Sequence, residues 1–359
     1  MALDIGSGQS GMIYLDYQAT TPMAQEAFAA MEPWLKDGFA NPHSVHAVGR
    51  AAAAAVEVAR EQVAALLPSG GRVIFTSGAT EAINLAIKGC GVSVTAAATE
   101  HAAVLDCVDH LGGFSFAVGA DGIADVGNIS SGLSAVMLIN NEIGTIQPVA
   151  DLAVSAHSQG GLFLCDAVQA YGRMPISDGP DMIAISAHKI HGPKGIGALW
   201  VRHGVKLEPQ MHGGGQEQGL RSGTLSPALC AGFGAAAKLA CERMEADATH
   251  VSALWDRAIG AFSDWTINGP VTHRYKGNLN IRRDGIDVGR LMSECRNIAF
   301  SAGSACASGS GRPSHVLRAI GLTDAQAKSS IRLGFGRYTT AEDIDIAAVT
   351  INRAAEAML

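Results

Sequence analysis

One lysine stands on a glycine-rich turn directly after an apolar run. Asp181-Met182-Ile183-Ala184-Ile185 leads into Ser186-Ala187-His188-Lys189-Ile190-His191-Gly192-Pro193-Lys194-Gly195-Ile196-Gly197. The run has the length and composition of a buried parallel strand, so Lys189 is expected at the strand's carboxyl end, where open α/β sheets bind ligands. A lysine held partly out of water beside other cationic groups has a lowered pKa and becomes a Schiff-base nucleophile, the chemistry that pyridoxal 5'-phosphate requires. Most lysines are simply solvated; the neighbours of this one favour chemistry.

Those neighbours also fall where strands end. Phe75-Thr76-Ser77-Gly78-Ala79-Thr80-Glu81-Ala82 passes from a strand through glycine into a helix. The free N–H groups from Ala79 onward, the Thr80 hydroxyl and the positive helix terminus suit a phosphate, although an ordinary helix cap uses the same residue types. In Leu164-Cys165-Asp166-Ala167-Val168-Gln169 a carboxylate ends another apolar strand. Asp166 there can pair with a protonated pyridine nitrogen and keep the ring an electron sink, or merely cap a helix. Gln169, three residues on, is placed to reach the ring's phenolic oxygen.

His101, in Ala98-Thr99-Glu100-His101-Ala102, suits stacking on a cofactor ring and proton exchange with a thiol near neutral pH; a surface or helix-terminal histidine is the bland alternative. Asn141, in Ile139-Asn140-Asn141-Glu142-Ile143-Gly144, offers an amide donor to a carboxylate or ring oxygen. Ser186 and His188 flank the lysine as further phosphate donors, and Arg332 on a C-terminal strand suits bidentate capture of an α-carboxylate.

The elements that must position these residues follow from periodicity. From about Ala24 to Leu67 the pattern is helical, with Val56, Val63 and Leu67 on one face. Short β-rich segments then alternate with helices: Arg72 to Phe75, Val92 to Val94, Ala135 to Ile139, Leu162 to Cys165, Met182 to Ile185 and Gly197 to Val201, with helices from about Ala79, Ala102 and Val149. This predicts an α/β fold with a mostly parallel sheet covered on both faces. A helical region from Pro227 to Phe262, broken near Ala246 to His250, leads to a smaller α+β part. Its strands are expected near Leu279 to Ile281 and Ser330 to Leu333, its helices near Val288 to Glu294 and Ala341 to Ala357. The expected division is an N-terminal segment 1–12, a large domain 13–245 and a smaller C-terminal domain 246–359, to which N-terminal residues can contribute.

Composition excludes several classes. The 359 residues are 48% hydrophobic and 16% charged with net charge −7, which offers no basic footprint for nucleic acid or a membrane surface. Met1 to Gly11 lacks the basic and apolar regions of a secretory signal, no run approaches a membrane span, and a cytoplasmic protein is expected. Seven cysteines (Cys90, Cys107, Cys165, Cys230, Cys241, Cys295, Cys306) include no Cys-x-x-Cys pair, so neither a disulfide framework nor a metal site is expected.

Taken in order, Tyr14-Leu15-Asp16-Tyr17-Gln18-Ala19-Thr20-Thr21-Pro22, Asn41-Pro42-His43-Ser44-Val45-His46, the Thr76 to Asn84 turn, Thr99-Glu100-His101, Asn140 to Gly144, Asp166 to Gln169, the Lys189 run, Arg221-Ser222-Gly223-Thr224 and Ser304-Ala305-Cys306 resemble the group I, NifS/IscS-type cysteine desulfurases of the class V aminotransferase family. The resemblance spans about Ile13 to Asp345. It implies a fold-type I pyridoxal-phosphate transferase with a seven-stranded large-domain sheet and a homodimer with active sites near the interface. In that family the threonine matching Thr224 reaches the partner subunit's cofactor phosphate; a polar surface turn is the other reading of Arg221 to Thr224.

The setting of Cys306, Ser301 to Gly311, resembles the family's long-loop group. Glycine and serine fill Ser308 to Gly311, so little holds the backbone in one conformation, and a mobile arm is expected. A small core thiol is the alternative, against which the flanking serines and glycines argue. The resemblance implies that L-cysteine reacts at the cofactor while Arg332 and Asn141 orient its carboxylate. Lys189 then works as the base at Cα, His101 manages the thiol proton, and Cys306 takes the sulfur as a persulfide, leaving L-alanine. An iron–sulfur scaffold or another acceptor protein is the implied destination. One departure stands out: the family's Gly-Gly-Gly-(Gln/His)-Glu-Arg-Gly reads Gly213 to Gly219 here with Gln218 in place of arginine, which removes a permanent charge. A selenocysteine lyase or another class V aminotransferase is the nearest rival, and a non-catalytic dimeric scaffold for sulfur trafficking the rival of another class.

Overall fold

The computed structural model describes residues 11–303 and 313–359. The chain opens with β1 (Ile13–Tyr14), α1 (Gln25–Lys36) and α2 (Ala47–Ala64). Then β2 (Gly71–Thr76), α3 (Ala79–Gly89), β3 (Val94–Ala97), α4 (Ala102–His110), β4 (Phe114–Phe116), β5 (Leu133–Ala135), α5 (Val149–Ser158), β6 (Leu162–Asp166), β7 (Met182–Ser186) and β8 (Gly197–Arg202) alternate. Their seven strands form one sheet in the order β2-β8-β7-β6-β5-β3-β4, parallel throughout except that β8 runs against both neighbours.

The strands read as unbroken apolar runs because both faces are covered. Successive side chains alternate between two cores. Phe75, Phe163, Cys165, Ile183, Ile185, Ala198 and Trp200 enter one, with residues of α2 and α5. Ile74, Leu164, Met182, Ala184, Leu199 and Val201 enter the other, with α3 and α4.

The long α6 (Pro227–Ala261) leaves this sheet. Beyond it lie β9 (Thr266–Ile267), β10 (Asn278–Arg282), α7 (Val288–Glu294), β11 (Ile298–Ala299), β12 (Ser301–Ala302), α8 (His315–Ala319), α9 (Asp324–Lys328), β13 (Ser330–Gly334) and α10 (Ala341–Glu356). Strands β12-β13-β10-β9 make an antiparallel sheet, and β1 pairs in parallel with β11. This sheet and α10 close over a separate core that also takes Ile13, Leu15 and, from α6, Val251, Leu254, Trp255 and Ala258. The first half of α6 packs Cys230, Phe233, Ala236, Ala237 and Ala240 against the large sheet's core.

Three expectations change. Helix α6 is continuous through Ala246 to His250. Tertiary contacts override weak local propensity there: Arg337 donates to Asp247 at 2.8 Å and His250 Nε2 donates to the Thr339 carbonyl at 2.9 Å, with an i,i+4 bond from Arg243 to Asp247 at 3.2 Å adding to them. The helical stretch from Ala24 to Leu67 is interrupted at 37–46, where Gly38 and Pro42 stand and the His46 ring caps α2 by accepting from Gly49 N. Finally, the strand expected at Ala135 to Ile139 pairs as Leu133–Ala135. Val136 and Leu138 still donate to Leu164 and Asp166 on β6, but the Met137 N–H turns to the Glu100 carboxylate at 2.7 Å, so no second strand pairs there. Among the described residues no helix is long and apolar enough to cross a membrane, and no cluster of three or more His, Cys, Asp or Glu could hold a metal ion.

Candidate active site

Gly197 explains how two loops far apart in sequence become neighbours. As the first residue of β8 it pairs with Thr76 at the end of β2 and with Ser186 at the end of β7. A Cβ at this position would come within 2.6 Å of the Ile185 carbonyl and 2.8 Å of the Gly78 backbone. Glycine therefore lets the turn into α3 and the turn carrying Lys189 close on one another. They border a cavity of about 640 Å³, also lined by His101, Asn141, Asp166, Gln169 and Arg332.

Lys189 follows β7 on a single tight turn, Ala187–Lys189. Its Nζ donates to the Gln18 and Ala19 carbonyls at 2.5 and 2.8 Å. Burial, then the charges of Arg173 and Arg332, lower its pKa to about 8, opposed by Asp16 and Asp166. The amine is thus readily freed of its proton near neutral pH, as a nucleophile or base needs.

Asp166 ends β6 as a buried carboxylate, accepting from the Val168 N–H at 2.9 Å. Burial raises its pKa, while that backbone contact, His101 and Lys189 lower it. Gln169 Nε2 donates to the Gln18 carbonyl at 3.0 Å, and its Oε1 accepts from Arg173 at 2.6 Å. No side chain caps α3, so the first-turn N–H groups at Ala79 and Thr80 open onto the cavity that Ser186 and His188 also line. The His188 pKa falls to about 4 through burial and the nearby Lys189, Lys194 and Arg173, which leaves the ring neutral at pH 7; its Nδ1 lies 3.1 Å from Thr20 Oγ1.

Arg332 is almost wholly buried on β13. One terminal nitrogen donates to Asp16 Oδ1 at 2.8 Å and another to the Asn141 carbonyl at 3.1 Å, whereas the buried Nε has no partner among the described residues. Arg332 also lines the cavity, where a fixed guanidinium fork is suited to a carboxylate. Ser301 Oγ donates to the same Asp16 oxygen at 2.9 Å. His101 caps α4, its Nδ1 accepting from Ala103 N at 3.1 Å, so the neutral ring carries its proton on Nε2.

Ten of the residues singled out in the sequence thus border one cavity: Ala79, Thr80, His101, Asn141, Asp166, Gln169, Ser186, His188, Lys189 and Arg332. Thr224 does not; it is exposed on the loop after Arg221, which pairs with Glu81 at 2.7 Å. Cys306 lies outside the described residues. Sequence reasoning missed the roles of Asp16, Ser301 and Arg173 and of the Gln18 and Ala19 carbonyls. Asp16 and Arg332 stand 316 residues apart, and no local pattern links them.

The family model for class V aminotransferases matches residues 13–346. Cysteine desulfurase IscS of Rickettsia rickettsii (strain Iowa) is 41% identical, over 93% of this chain and 89% of the relative. Among solved structures, a NifS-like protein superimposes with a TM-score of 0.87 at 30% identity, covering 96% of this chain and 99% of the other. A structure described as SspA in complex with cysteine gives 0.80 at 34% identity, covering 91% and 99%. The chain belongs to the class V aminotransferases, whose enzymes depend on pyridoxal phosphate, and has the fold of the NifS-like members. Its residues fit that cofactor on their own chemistry. The cavity offers an amine of lowered pKa, a buried carboxylate and an uncapped helix start with hydroxyl donors.

Proposed function

We propose that the protein is a cysteine desulfurase, which removes the sulfur of L-cysteine, leaves L-alanine and carries the sulfur on Cys306. The observation that carries this reading is the meeting of Lys189, Asp166, Arg332 and the open start of α3 in one cavity. A solved relative holding cysteine supports the choice of substrate. Pyridoxal phosphate, when bound, would supply an aldehyde for amines and an electron sink that weakens bonds at the substrate Cα.

Asp166 would hold the pyridine nitrogen, Gln169 and Asn141 the ring's oxygen side, and Ala79, Thr80, Ser186 and His188 the phosphate. Arg332 and Asn141 bind and orient the substrate carboxylate. Lys189, once released, takes the proton from Cα, a role that its lowered pKa serves. His101 holds a proton on Nε2 and offers it as a hydrogen bond to the substrate sulfur. The Cys306 thiolate attacks that sulfur; the new S–S bond forms as the C–S bond breaks, and the bonding pair stays with the three-carbon product.

The working unit we propose is a homodimer in which Thr224 reaches the phosphate of the second copy. Supporting it, Phe39 and Val45 are 87% and 88% exposed in the segment between α1 and α2, with Phe28 and Leu35 also exposed on α1. The large domain runs over 13–245 and the smaller over 246–359, with 1–12 preceding them and α6 shared between their cores. The proposed recipient of the sulfur is an iron–sulfur scaffold or another acceptor protein. Replacement of Cys306 by serine tests the activity: alanine and sulfide formation from cysteine should collapse while the cofactor's visible absorbance persists. Unchanged turnover in that variant would favour an aminotransferase instead.

A further inference from the structure

Arg173 lies just outside the cavity, on the turn that follows β6, and its contacts converge on the two residues nearest the chemistry. One terminal nitrogen donates to Gln169 Oε1 at 2.6 Å and to the Gln169 carbonyl at 3.2 Å. The other donates to the backbone carbonyl of Lys189 at 2.8 Å. The half-buried guanidinium is stacked over Tyr275, 5.2 Å from the ring centre, so its plane is held from a third side.

A guanidinium only donates hydrogen bonds, and a glutamine amide presents an acceptor at one end and a donor at the other. Whatever faces Arg173 must be the oxygen of Gln169, and the NH2 end is therefore turned towards Gln18 and the cavity. We infer that Arg173 is a positioning residue for this site: it fixes Gln169 with its donor end towards the cofactor and ties that side chain to the turn that carries Lys189. This rests on the proposed pyridoxal-phosphate reading, since the donor end is the one that a ring oxygen needs.

The same cation acts through space on Lys189. After burial, Arg173 is the strongest influence lowering the lysine's pKa; Arg332 works in the same direction, and Asp16 and Asp166 work against them. Lys194 and His188 border the same cavity, and the neutral His188 adds no charge. Removing the Arg173 charge should leave the amine holding its proton to higher pH. Geometry and charge thus make separable demands on one side chain. Arg173→Lys keeps the cation but loses the planar fork, whereas Arg173→Gln loses both.

The test uses the purified protein and these two variants, each also combined with Gln169→Leu. The first readout is the pH dependence of Lys189 acetylation, followed by peptide mass spectrometry after the cofactor has been stripped. Arg173→Gln should raise the midpoint by ~0.5–1 pH unit, and Arg173→Lys should leave it near the parent value. The second readout is release of pyridoxal phosphate from the loaded protein, followed by its absorbance. Both variants should release it faster, by roughly 3–10-fold, and neither should add to the effect of Gln169→Leu, because Arg173 acts through that side chain. An unmoved acetylation midpoint in Arg173→Gln, or release effects that simply multiply with Gln169→Leu, would overturn the assignment. Failure of the parent protein to make alanine from cysteine would instead count against the proposed activity, and the acetylation midpoint would still decide the role of Arg173.

Discussion

Replacing Arg332 with lysine tests its proposed recognition of the substrate carboxylate separately from everything else in the pocket. The guanidinium is 1% exposed, so its interactions are not screened by solvent, and its fork is fixed by Asp16 at 2.8 Å and the Asn141 carbonyl at 3.1 Å. Lysine keeps the charge but lacks the planar fork whose separate nitrogens span Asp16, the Asn141 carbonyl and a carboxylate. Hydrogen bonds involving charged groups contribute roughly 1.5–3 kcal/mol each, so loss of one, with poorer placement of the rest, should cost about 2–3.5 kcal/mol. At about 1.4 kcal/mol per tenfold, kcat/KM for cysteine should fall ~30–300-fold. Cysteamine, which has the amine and thiol but no carboxylate, provides the control: its much weaker reaction should be the same in Arg332→Lys and the parent. The assay is loss of the visible cofactor band on mixing, with sulfide measured in parallel. If the substitution slowed cysteine and cysteamine by the same factor, Arg332 would be a structural residue and the reasoning about its guanidinium fork would be refuted.

Other perturbations test the scaffold. His191 Nδ1 donates to the Pro22 carbonyl at 2.8 Å, and burial, with the charge of Arg337, lowers the ring's pKa to about 4. Between pH 6.5 and 4 the unfolded chain binds a proton that the folded one refuses, so stability should fall as pH drops through that window, by up to about 3 kcal/mol from this group. Urea denaturation at a series of pH values should show a shallower acid slope for His191→Asn, which tolerates the residue's φ of 69°. The buried Glu217 carboxylate accepts from both terminal nitrogens of Arg60 at 2.8 Å and from Phe75 N at 2.7 Å. Glu217→Gln should lower unfolding free energy by about 1–3 kcal/mol, read from denaturation midpoints, because the largely buried guanidinium loses its buried partner and keeps only the exposed Glu57 carboxylate at 3.1 Å. A loss near zero would show that this pair is not what anchors the loop beneath Arg221.

The candidate site was legible in the sequence wherever a residue lining the cavity sits at a strand end. Asp166, Ser186 and Lys189 follow apolar runs that can only be central strands, and the α3 start is marked by its Ser-Gly-Ala-Thr turn. What stayed hidden depends on contacts between distant segments. The partnership of Asp16 with Arg332 is formed by the pairing of Asp16 beside Gly334, where a Cβ would collide with Gln18, and no local periodicity encodes it. Likewise, the Met137 N–H gives up a strand partner for the Glu100 carboxylate, and the stretch Ala246 to His250 stays helical because Arg337 and Thr339 hold it. The departure at Gln218 also gains a setting: its side chain accepts from Arg72, so a cation still stands beside that position.

The central claim is a division of labour between the amine of Lys189 and the thiol of Cys306, and mass spectrometry of the protein after brief exposure to cysteine tests it most directly. One added sulfur on the Cys306 peptide, none on the other six cysteines, and no added sulfur in Lys189→Ala is the predicted result. Alanine formation with sulfur on a different cysteine, or with none on the protein, would contradict it.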